Sequence, residues 1–396
     1  MNNLEHSSKQ VAPAVLTGEI WKWIFAHLDA KPVELRLKHG IQEPYFSAIS
    51  QIEARKRYST KFKDLILSKW VFPIGIGLEQ SSSEATAHLK KRLFISPYSA
   101  DLCGGLGIDS LHICTRQNSL KHLIFERNPG LAQLLDHNLS STKVLPSAFN
   151  FNDLDKWTRQ QNIPTNELEI YLDPDRRSNA RRSFSILEGT PNLVSIQEEL
   201  LNRAVKIVAK HSPMVDLNEI ESLLLNLSEI HIIQYQGECK EVLSVQEKGY
   251  EGSVNIVLID AETEEEFNGQ APSPSANVLT TPKGFIIQPS AGLNKSGFHM
   301  QFAQIHQWSK LVFGNLYTSQ SEPPQSVFYK IFRVNKVFDS LKKAELTGPA
   351  AIESIGSKIS SDELRKRFKI KEGRERKIFY LQNGKLKMIV ACKLIE

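Results

Sequence analysis

Three acids in this chain each follow an apolar run and precede a turn or helix start, and together they could hold a polar ligand. The first heads Asp101-Leu102-Cys103-Gly104-Gly105-Leu106-Gly107-Ile108-Asp109-Ser110, where a strand runs into three glycines and an amphipathic helix. Such a turn presents a nucleotide-like ligand at the carboxyl end of the first strand of a doubly wound sheet. In a dinucleotide fingerprint the acid lies about 20 residues later and the glycines face a pyrophosphate. Here Asp101 comes before the glycines, where it suits a cation such as an amino or sulfonium group. The second acid, Glu126, ends Lys121-His122-Leu123-Ile124-Phe125 and can accept from both hydroxyls of a ribose. The third, Asp173, ends Glu169-Ile170-Tyr171-Leu172, and Pro174 stops that strand and fixes φ.

Cations follow the third acid. Arg176, Arg177, Arg181 and Arg182 cluster just past it, and arginine forks match phosphate geometry. They read either as a polyanion-binding cluster or as partners of local acids such as Asp175 and Glu188. Near Phe149-Asn150-Phe151-Asn152-Asp153 an amide or carboxylate could accept from an exocyclic amine, with Phe covering the ring; Asn152 and Asp153 are the candidates. Asp109 and Ser110 are expected to cap the helix start. His211, at a later strand end, could position a substrate or accept a proton, or be structural. The Gln80–Glu84 run could close over a ligand or cap the next helix.

The order acid–glycine turn, second acid, Asp-Pro resembles the class I S-adenosylmethionine-dependent methyltransferases. Outside that core, Leu78–Lys90, Ser212–Asp216, Gly237–Glu241, Gln288–Lys295 and Asn315–Ser319 resemble a bacterial group with a ferredoxin-like insert and a C-terminal THUMP-like domain. The likeness covers roughly residues 75–396. It implies S-adenosyl-L-methionine as cofactor, touched by Asp101, Gly104, Gly105, Gly107, Asp109, Glu126, Asn152 and Asp153, with Asp173 and Pro174 facing the methyl group. Relatives that methylate base nitrogens carry Asp-Pro-Pro-aromatic at this point. Here Asp175 and Arg176 replace the second proline and the aromatic, so the stacking ring is missing from the motif.

The elements that must position these residues follow from periodicity. Strands are expected at Ser99–Leu102, His122–Phe125, Leu168–Leu172, Ile207–Lys210, Glu229–Gln234 and Asn255–Ile259, alternating with helical patterns. The expected fold class is α/β: a doubly wound Rossmann-like sheet, an N-terminal helical region and small α+β C-terminal domains. The last two strands, linked through Gly249 and Gly252, leave no room for a crossover helix and predict an antiparallel hairpin. Residues 1–74 read as the helical region, with a frayed start over 1–12 and helices over Thr17–Leu28 and Phe46–Trp70. The catalytic domain is expected over 75–268 and an acidic, then Pro/Ser-rich loop over Glu262–Ser275. A ferredoxin-like piece at 280–325 and a THUMP-like piece at 326–396 complete the chain.

Charge is unevenly spread. The 396 residues carry net +5, but residues 326–396 hold 17 Lys and Arg against 8 Asp and Glu, which leaves the rest at −4. Arg365-Lys366-Arg367-Phe368-Lys369 interleaves cations with apolar residues, and Lys366 and Arg367 are the candidate phosphate contacts. The four cysteines are scattered without CxxC spacing, which predicts neither a metal site nor a disulfide framework. No apolar run reaches about 18 residues, so no membrane span is expected, and the N-terminus lacks a secretory pattern; the cytoplasm is the expected compartment. These features predict a methyltransferase acting on structured RNA, ribosomal or transfer. The alternatives are a protein or small-molecule acceptor, or a non-catalytic RNA-binding factor on the same fold.

Overall fold

The computed structural model describes residues 13–40, 42–74, 78–175, 184–270, 277–339 and 348–395. The chain divides into two compact units, residues 1–229 with 243–252 and residues 230–242 with 253–396. The frayed start expected over 1–12 lies outside the described residues, as do Arg176, Arg177, Arg181 and Arg182.

The first unit opens with helices α1 (Gly18–Ala26), α2 (Pro32–His39) and α3 (Tyr45–Arg57). Thr17 caps α1 by accepting from the Ile20 N–H, and Trp21 and Ile24 turn inward at helical spacing. The single long helix expected over Phe46–Trp70 stops at Arg57. Arg55 explains the strap that follows: it is buried and donates to the carbonyls of Ile66, Ser68 and Trp70 at 2.8–3.1 Å. Those three carbonyls turn onto the buried guanidinium, which holds the chain after Arg57 in a strap rather than a continued helix. The guanidinium also lies over the rings of Trp21 and Phe72, and burial lowers its pKa to about 10.

Helix α4 (Glu84–Lys90) leads into the α/β alternation: β1 (Tyr98–Asp101), α5 (Ile108–Cys114), β2 (Lys121–Phe125), α6 (Pro129–Asn138), β3 (Lys143–Leu145), α7 (Phe151–Gln160), β4 (Leu168–Leu172), α8 (Leu193–Arg203), β5 (Lys206–His211) and α9 (Leu217–Leu223). β1 lies between β2 and β4, with β3 and β5 outside them, all parallel. Parallel register carries the carboxyl ends of β1, β2, β4 and β5 to one edge, where the three acids stand.

Two strands before Asn255 escaped the sequence reading. β3 is only three residues long, too short for alternation to register. β6 (Leu227–Tyr235) and β7 (Glu238–Glu247) form the hairpin, before β8 (Asn255–Asp260). Their two-residue turn, Gln236 and Gly237, has φ of 52° and 76°, the left-handed pair that a type I′ turn requires. The hairpin expected between the sixth strand and Asn255–Ile259 is therefore corrected: β7 supplies the return strand.

In the second unit β9 (Glu266–Gly269) pairs antiparallel with β8, so an edge strand occupies part of the segment expected to be loop. Then come β10 (Val278–Leu279), β11 (Phe285–Pro289), α10 (Ala291–Lys295), α11 (His299–Ile305), β12 (Ser309–Leu311), β13 (Tyr317–Ser319), β14 (Tyr329–Phe338), β15 (Ala351–Ile355), α12 (Ser361–Phe368), β16 (Arg376–Asn383) and β17 (Leu386–Ile395). Strands β10–β17 make one eight-stranded sheet, in the order β10-β12-β13-β11-β14-β17-β16-β15. The residue 325/326 division falls inside this sheet, because β11 pairs with β14. One face buries Phe332, Phe379, Leu381 and Val390; α12 covers the other with Leu364 against Ile378 and Ile389. The Gln288–Lys295 motif is structural here: the Ser290 hydroxyl donates to Gln234 at 2.6 Å, and Gln234 donates to Asp260 and the Val327 carbonyl.

The glycine turn is the tightest point of the first unit. A Cβ on Gly104 would stand 2.4 Å from the Ile124 side chain, and one on Gly107, at φ 75°, would stand 2.3 Å from Leu135. Gly105 has φ 53° but open space beside it. Gly107→Ala is therefore expected to cost about 2–4 kcal/mol from the left-handed backbone plus overpacking. Gly105→Ala should cost only about 1–2 kcal/mol. Urea unfolding of both variants checks the order; equal losses would refute the packing account.

Candidate active site

Asp101 is 1% exposed at the end of β1. One carboxyl oxygen accepts from the Cys103 N–H at 2.9 Å and the other from the Ser110 hydroxyl at 2.5 Å. Burial, against these two donors, pushes its pKa up to about 7. The glycine turn folds onto the end of β2: Gly104 N–H donates to the Phe125 carbonyl at 2.8 Å and Gly105 N–H to Glu126 Oε2 at 2.7 Å. Glu126 Oε1 accepts from Asn128 N–H at 2.7 Å. Burial raises this carboxyl too, opposed by the two backbone donors. Each oxygen of Glu126 keeps a further lone pair for a hydroxyl donor.

Asp109 does not cap α5, contrary to expectation. Gly107 is the N-cap residue and supplies no side-chain bond. The Asp109 carboxylate instead points inward: Oδ1 meets Lys90 Nζ at 2.7 Å, and Oδ2 accepts from Ser82 and Tyr171 hydroxyls, each at 2.8 Å. Ser110 likewise spends its hydroxyl on Asp101 rather than on a backbone N–H. Burial alone would raise Asp109, but Lys90 and Lys210 together hold its carboxyl below the ordinary range.

The Gln80–Glu84 run divides its labour. Ser83 caps α4 by accepting from Thr86 N–H, and Glu84 accepts from the N–H groups of Asp64 and Leu65. Ser82 bridges two lysines, accepting from Lys90 at 2.6 Å and Lys210 at 3.3 Å. Lys210 also donates to Asp173 Oδ2 at 2.6 Å. A continuous buried network thus runs Tyr171–Asp109–Lys90–Ser82–Lys210–Asp173. The sequence reading named Ser82 only within the Gln80–Glu84 run and gave Lys90 and Lys210 no role. The one available signal was Lys210 inside an apolar strand, next to His211.

Asp173 is the accessible acid, its side chain 31% exposed. Beside it a small cavity is lined by Pro174, Phe184, Ile186, Leu193, Lys210 and His211. Phe184 is 42% exposed, so an aromatic ring stands beside Pro174 although none follows Asp-Pro in sequence. Backbone bonds at 2.9 and 3.1 Å join Asp175 to Thr190. Asp175 pairs with Arg127 at 2.6 Å. The buried His211 ring bonds Ser244 at 2.8 Å through Nε2.

Near the third strand, Phe149 stacks edge-on to Phe125 and Phe151. Asn150 caps α7, accepting from Asp153 N–H and donating to the Asp153 carboxylate at 2.8 Å. Asn152 is exposed on the first turn of α7. Lys366 and Arg367 are exposed on α12, away from the first unit's sequence and within the second unit. Among the described residues no group of three or more His, Cys, Asp or Glu could hold a metal, and no helix is long and apolar enough to cross a membrane.

No family model matches the chain. It is 22% identical, over 352 residues, to an uncharacterised S-adenosylmethionine-dependent methyltransferase found in two strains of Mycobacterium tuberculosis; the match spans 86% of this chain and 93% of the relative. The fold is similar to the crystal structure of a candidate methyltransferase from Porphyromonas gingivalis W83. The TM-score is 0.79 at 25% identity, covering 97% of this chain and 98% of that one.

Two outcomes follow from the geometry. Lys90→Met removes the ion-pair partner of the buried Asp109, leaving it two hydroxyl donors and the charge of Lys210, and is expected to cost about 3 kcal/mol in urea unfolding. Lys90→Met with Asp109→Leu removes both charges and should recover most of that loss. For Asp101, the folded pKa lies above the ordinary carboxyl value, so the unliganded fold holds a proton that the unfolded chain releases. The stability from this group is full near pH 4 and is lost as pH rises through about 7. Asp101→Asn should therefore gain in melting temperature over wild type from pH 4 to 7, with a constant difference above. A pH-independent difference would contradict the assignment.

Proposed function

We propose that this chain, an S-adenosylmethionine-dependent methyltransferase by its fold and its relatives, transfers the methyl group to structured RNA. When bound, the cofactor supplies a methyl group on a cationic sulfur, displaced in line by an acceptor atom. The residues at the sheet edge fit it: a buried acid, a glycine turn without side chains, and a second acid with lone pairs to spare. Asp101 takes the cationic amino group, Glu126 the ribose hydroxyls, and Gly105 and Gly107 allow close approach of the backbone. Asn152 and Asp153 flank the adenine end, with Phe149 and Phe151 nearby. Asp109 supports this site from below, through the network it anchors.

On the acceptor side, Asp173 accepts N–H or O–H from the incoming group and Lys210 fixes which oxygen does so. Phe184 and Pro174 offer faces to a planar ring, the role that the missing motif aromatic would have filled. Arg176 and Arg177, next along the chain, are proposed to meet the phosphates around that acceptor.

One observation carries the RNA reading. Arg333 of β14 stands opposite Lys393 of β17, and Lys393 stands opposite Arg376 of β16. Three cations thus form one row across the sheet. Arg333 also pairs with Glu322 at 2.8 Å, so the reading rests on the row together with the excess of positive charge over residues 326–396, which a phosphate backbone would meet. Arg376 shares its face with Ile378, the face α12 covers further along, and α12 adds the exposed Lys366 and Arg367.

The test is methylation of purified tRNA and rRNA with labelled cofactor, alongside anisotropy titrations of a folded RNA. Arg333→Glu with Lys393→Glu should weaken RNA binding about tenfold or more and lower the salt slope by roughly two, while S-adenosylhomocysteine affinity stays unchanged. Phe184→Ala should lower methyl transfer far more than Phe184→Trp. Label appearing only in nuclease-resistant protein would overturn the RNA acceptor; no cofactor binding would overturn the enzyme.

A further inference from the structure

Behind Asp101 lies a line of buried polar groups that the methyl-transfer reading does not use. Arg116 Nη1 donates to Ser99 Oγ at 3.4 Å. Ser99 Oγ is 2.8 Å from His122 Nδ1, and His122 Nε2 is 3.0 Å from Ser110 Oγ. The Ser110 hydroxyl donates to Asp101 at 2.5 Å. Ser99, Ser110 and His122 are 0–3% exposed. Strand β1 supplies Ser99 and Asp101, α5 supplies Ser110, β2 supplies His122, and the turn after α5 supplies Arg116.

Each hydroxyl has one proton, so the donors along this line can be counted. With Asp101 ionised, Ser110 donates to it and accepts from His122 Nε2–H. His122 Nδ1 then accepts from Ser99, whose oxygen accepts from Arg116. Each hydroxyl and each ring nitrogen of the line is satisfied, and the line runs from a guanidinium to a carboxylate. With Asp101 protonated on Oδ2, the oxygen that meets Ser110, the carboxyl donates to Ser110, the histidine switches to its Nδ1–H form, and Ser99 Oγ receives both that proton and the Arg116 one. Its own hydroxyl then has lost its partner in the line. Arg116 therefore favours the first arrangement.

We propose that Arg116, Ser99, His122 and Ser110 are positioning residues: a polarised hydrogen-bond wire that keeps Asp101 ionised and aimed at the cofactor's cationic amino group, with the His122 tautomer following the charge on Asp101. This rests on the proposed contact of Asp101 with the cofactor. The wire works against its surroundings. Burial and the neighbouring Asp109 of α5 and Asp173 after β4 oppose ionisation of Asp101. Lys90 and Lys210 pair those two aspartates. Glu126 after β2 and the Cys103 thiol complete the titratable groups around the turn. His122 faces Arg116, and burial and that cation lower its pKa to about 3, so the ring stays neutral and tautomeric.

The experiment is calorimetric titration of the full chain with S-adenosylhomocysteine from pH 5.5 to 9.5, with nitrogen-15 spectra of the histidine rings assigned through His122→Phe. Ser110→Ala and Arg116→Met are expected to move the pH at which affinity falls upward, by about one unit and somewhat less respectively. Both should rejoin wild type at the alkaline end, and Arg116→Lys should restore most of the profile. Bound wild type should show His122 as the Nε2–H form, turning to Nδ1–H as affinity is lost in acid. Profiles of folded Ser110→Ala and Arg116→Met that superimpose on wild type, or an Nδ1–H ring in the bound state, would overturn the wire. Asp101→Asn separates the two levels: undiminished affinity there removes the cofactor contact itself, whereas weakened affinity with unmoved wire variants removes only the wire.

Discussion

A carboxylate and an ammonium buried together at the carboxyl edge of the sheet constrain everything around them. Asp109 and Lys90 are almost wholly removed from water, which costs several kcal/mol per ion unless each lone pair and proton is engaged. The engagement recruits Ser82 from the segment before α4, Tyr171 from β4 and, through Ser82, Lys210 from β5. Helices α4 and α5 and strands β4 and β5 are thereby tied at one point. Lys210 passes that constraint to Asp173, so scaffold and candidate acceptor site share a single hydroxyl.

The three acids of the edge differ in access to water, and the difference sorts their chemistry. Asp101 is sealed, Glu126 nearly so, and the Asp173 side chain is 31% exposed. A sealed carboxylate gains from a bound cation, because water does not reach it and only the Cys103 N–H and the Ser110 hydroxyl otherwise solvate it. A half-open one can exchange partners, as the acceptor-side role proposed for Asp173 would require. Asp101 and Asp173 also hold the same dependence on neighbours: each is oriented by a donor from another element, Ser110 for one and Lys210 for the other.

The strands with strong apolar runs were legible within a residue or two, since burial on both faces leaves a continuous signal in sequence. β3 was too short to read, and β7 was hidden because its first residues, Glu238-Cys239-Lys240-Glu241, look like a polar loop. Arg55, inside the single long helix expected over Phe46–Trp70, proved to be a buried organiser of the chain after α3. The edge strand Glu266–Gly269 was masked by its acidic composition. In each case pairing or burial against another segment overrode local character, which single-sequence patterns do not contain.

The sequence by itself determined the acid–glycine turn, the strand ends that bear Asp101, Glu126 and Asp173, and the concentration of positive charge after residue 325. Those are local properties: glycine's freedom, an apolar run and its stop, a count of side chains. Only the tertiary structure decided that Asp109 would anchor a buried ion pair instead of capping a helix, that Phe184 would stand where the motif lacks a ring, and that Arg333, Lys393 and Arg376 would share a row. Residues 9 to 60 positions apart are brought within bonding or strand-pairing distance by packing, and the cost of leaving a buried group unpaired selects which of them meet.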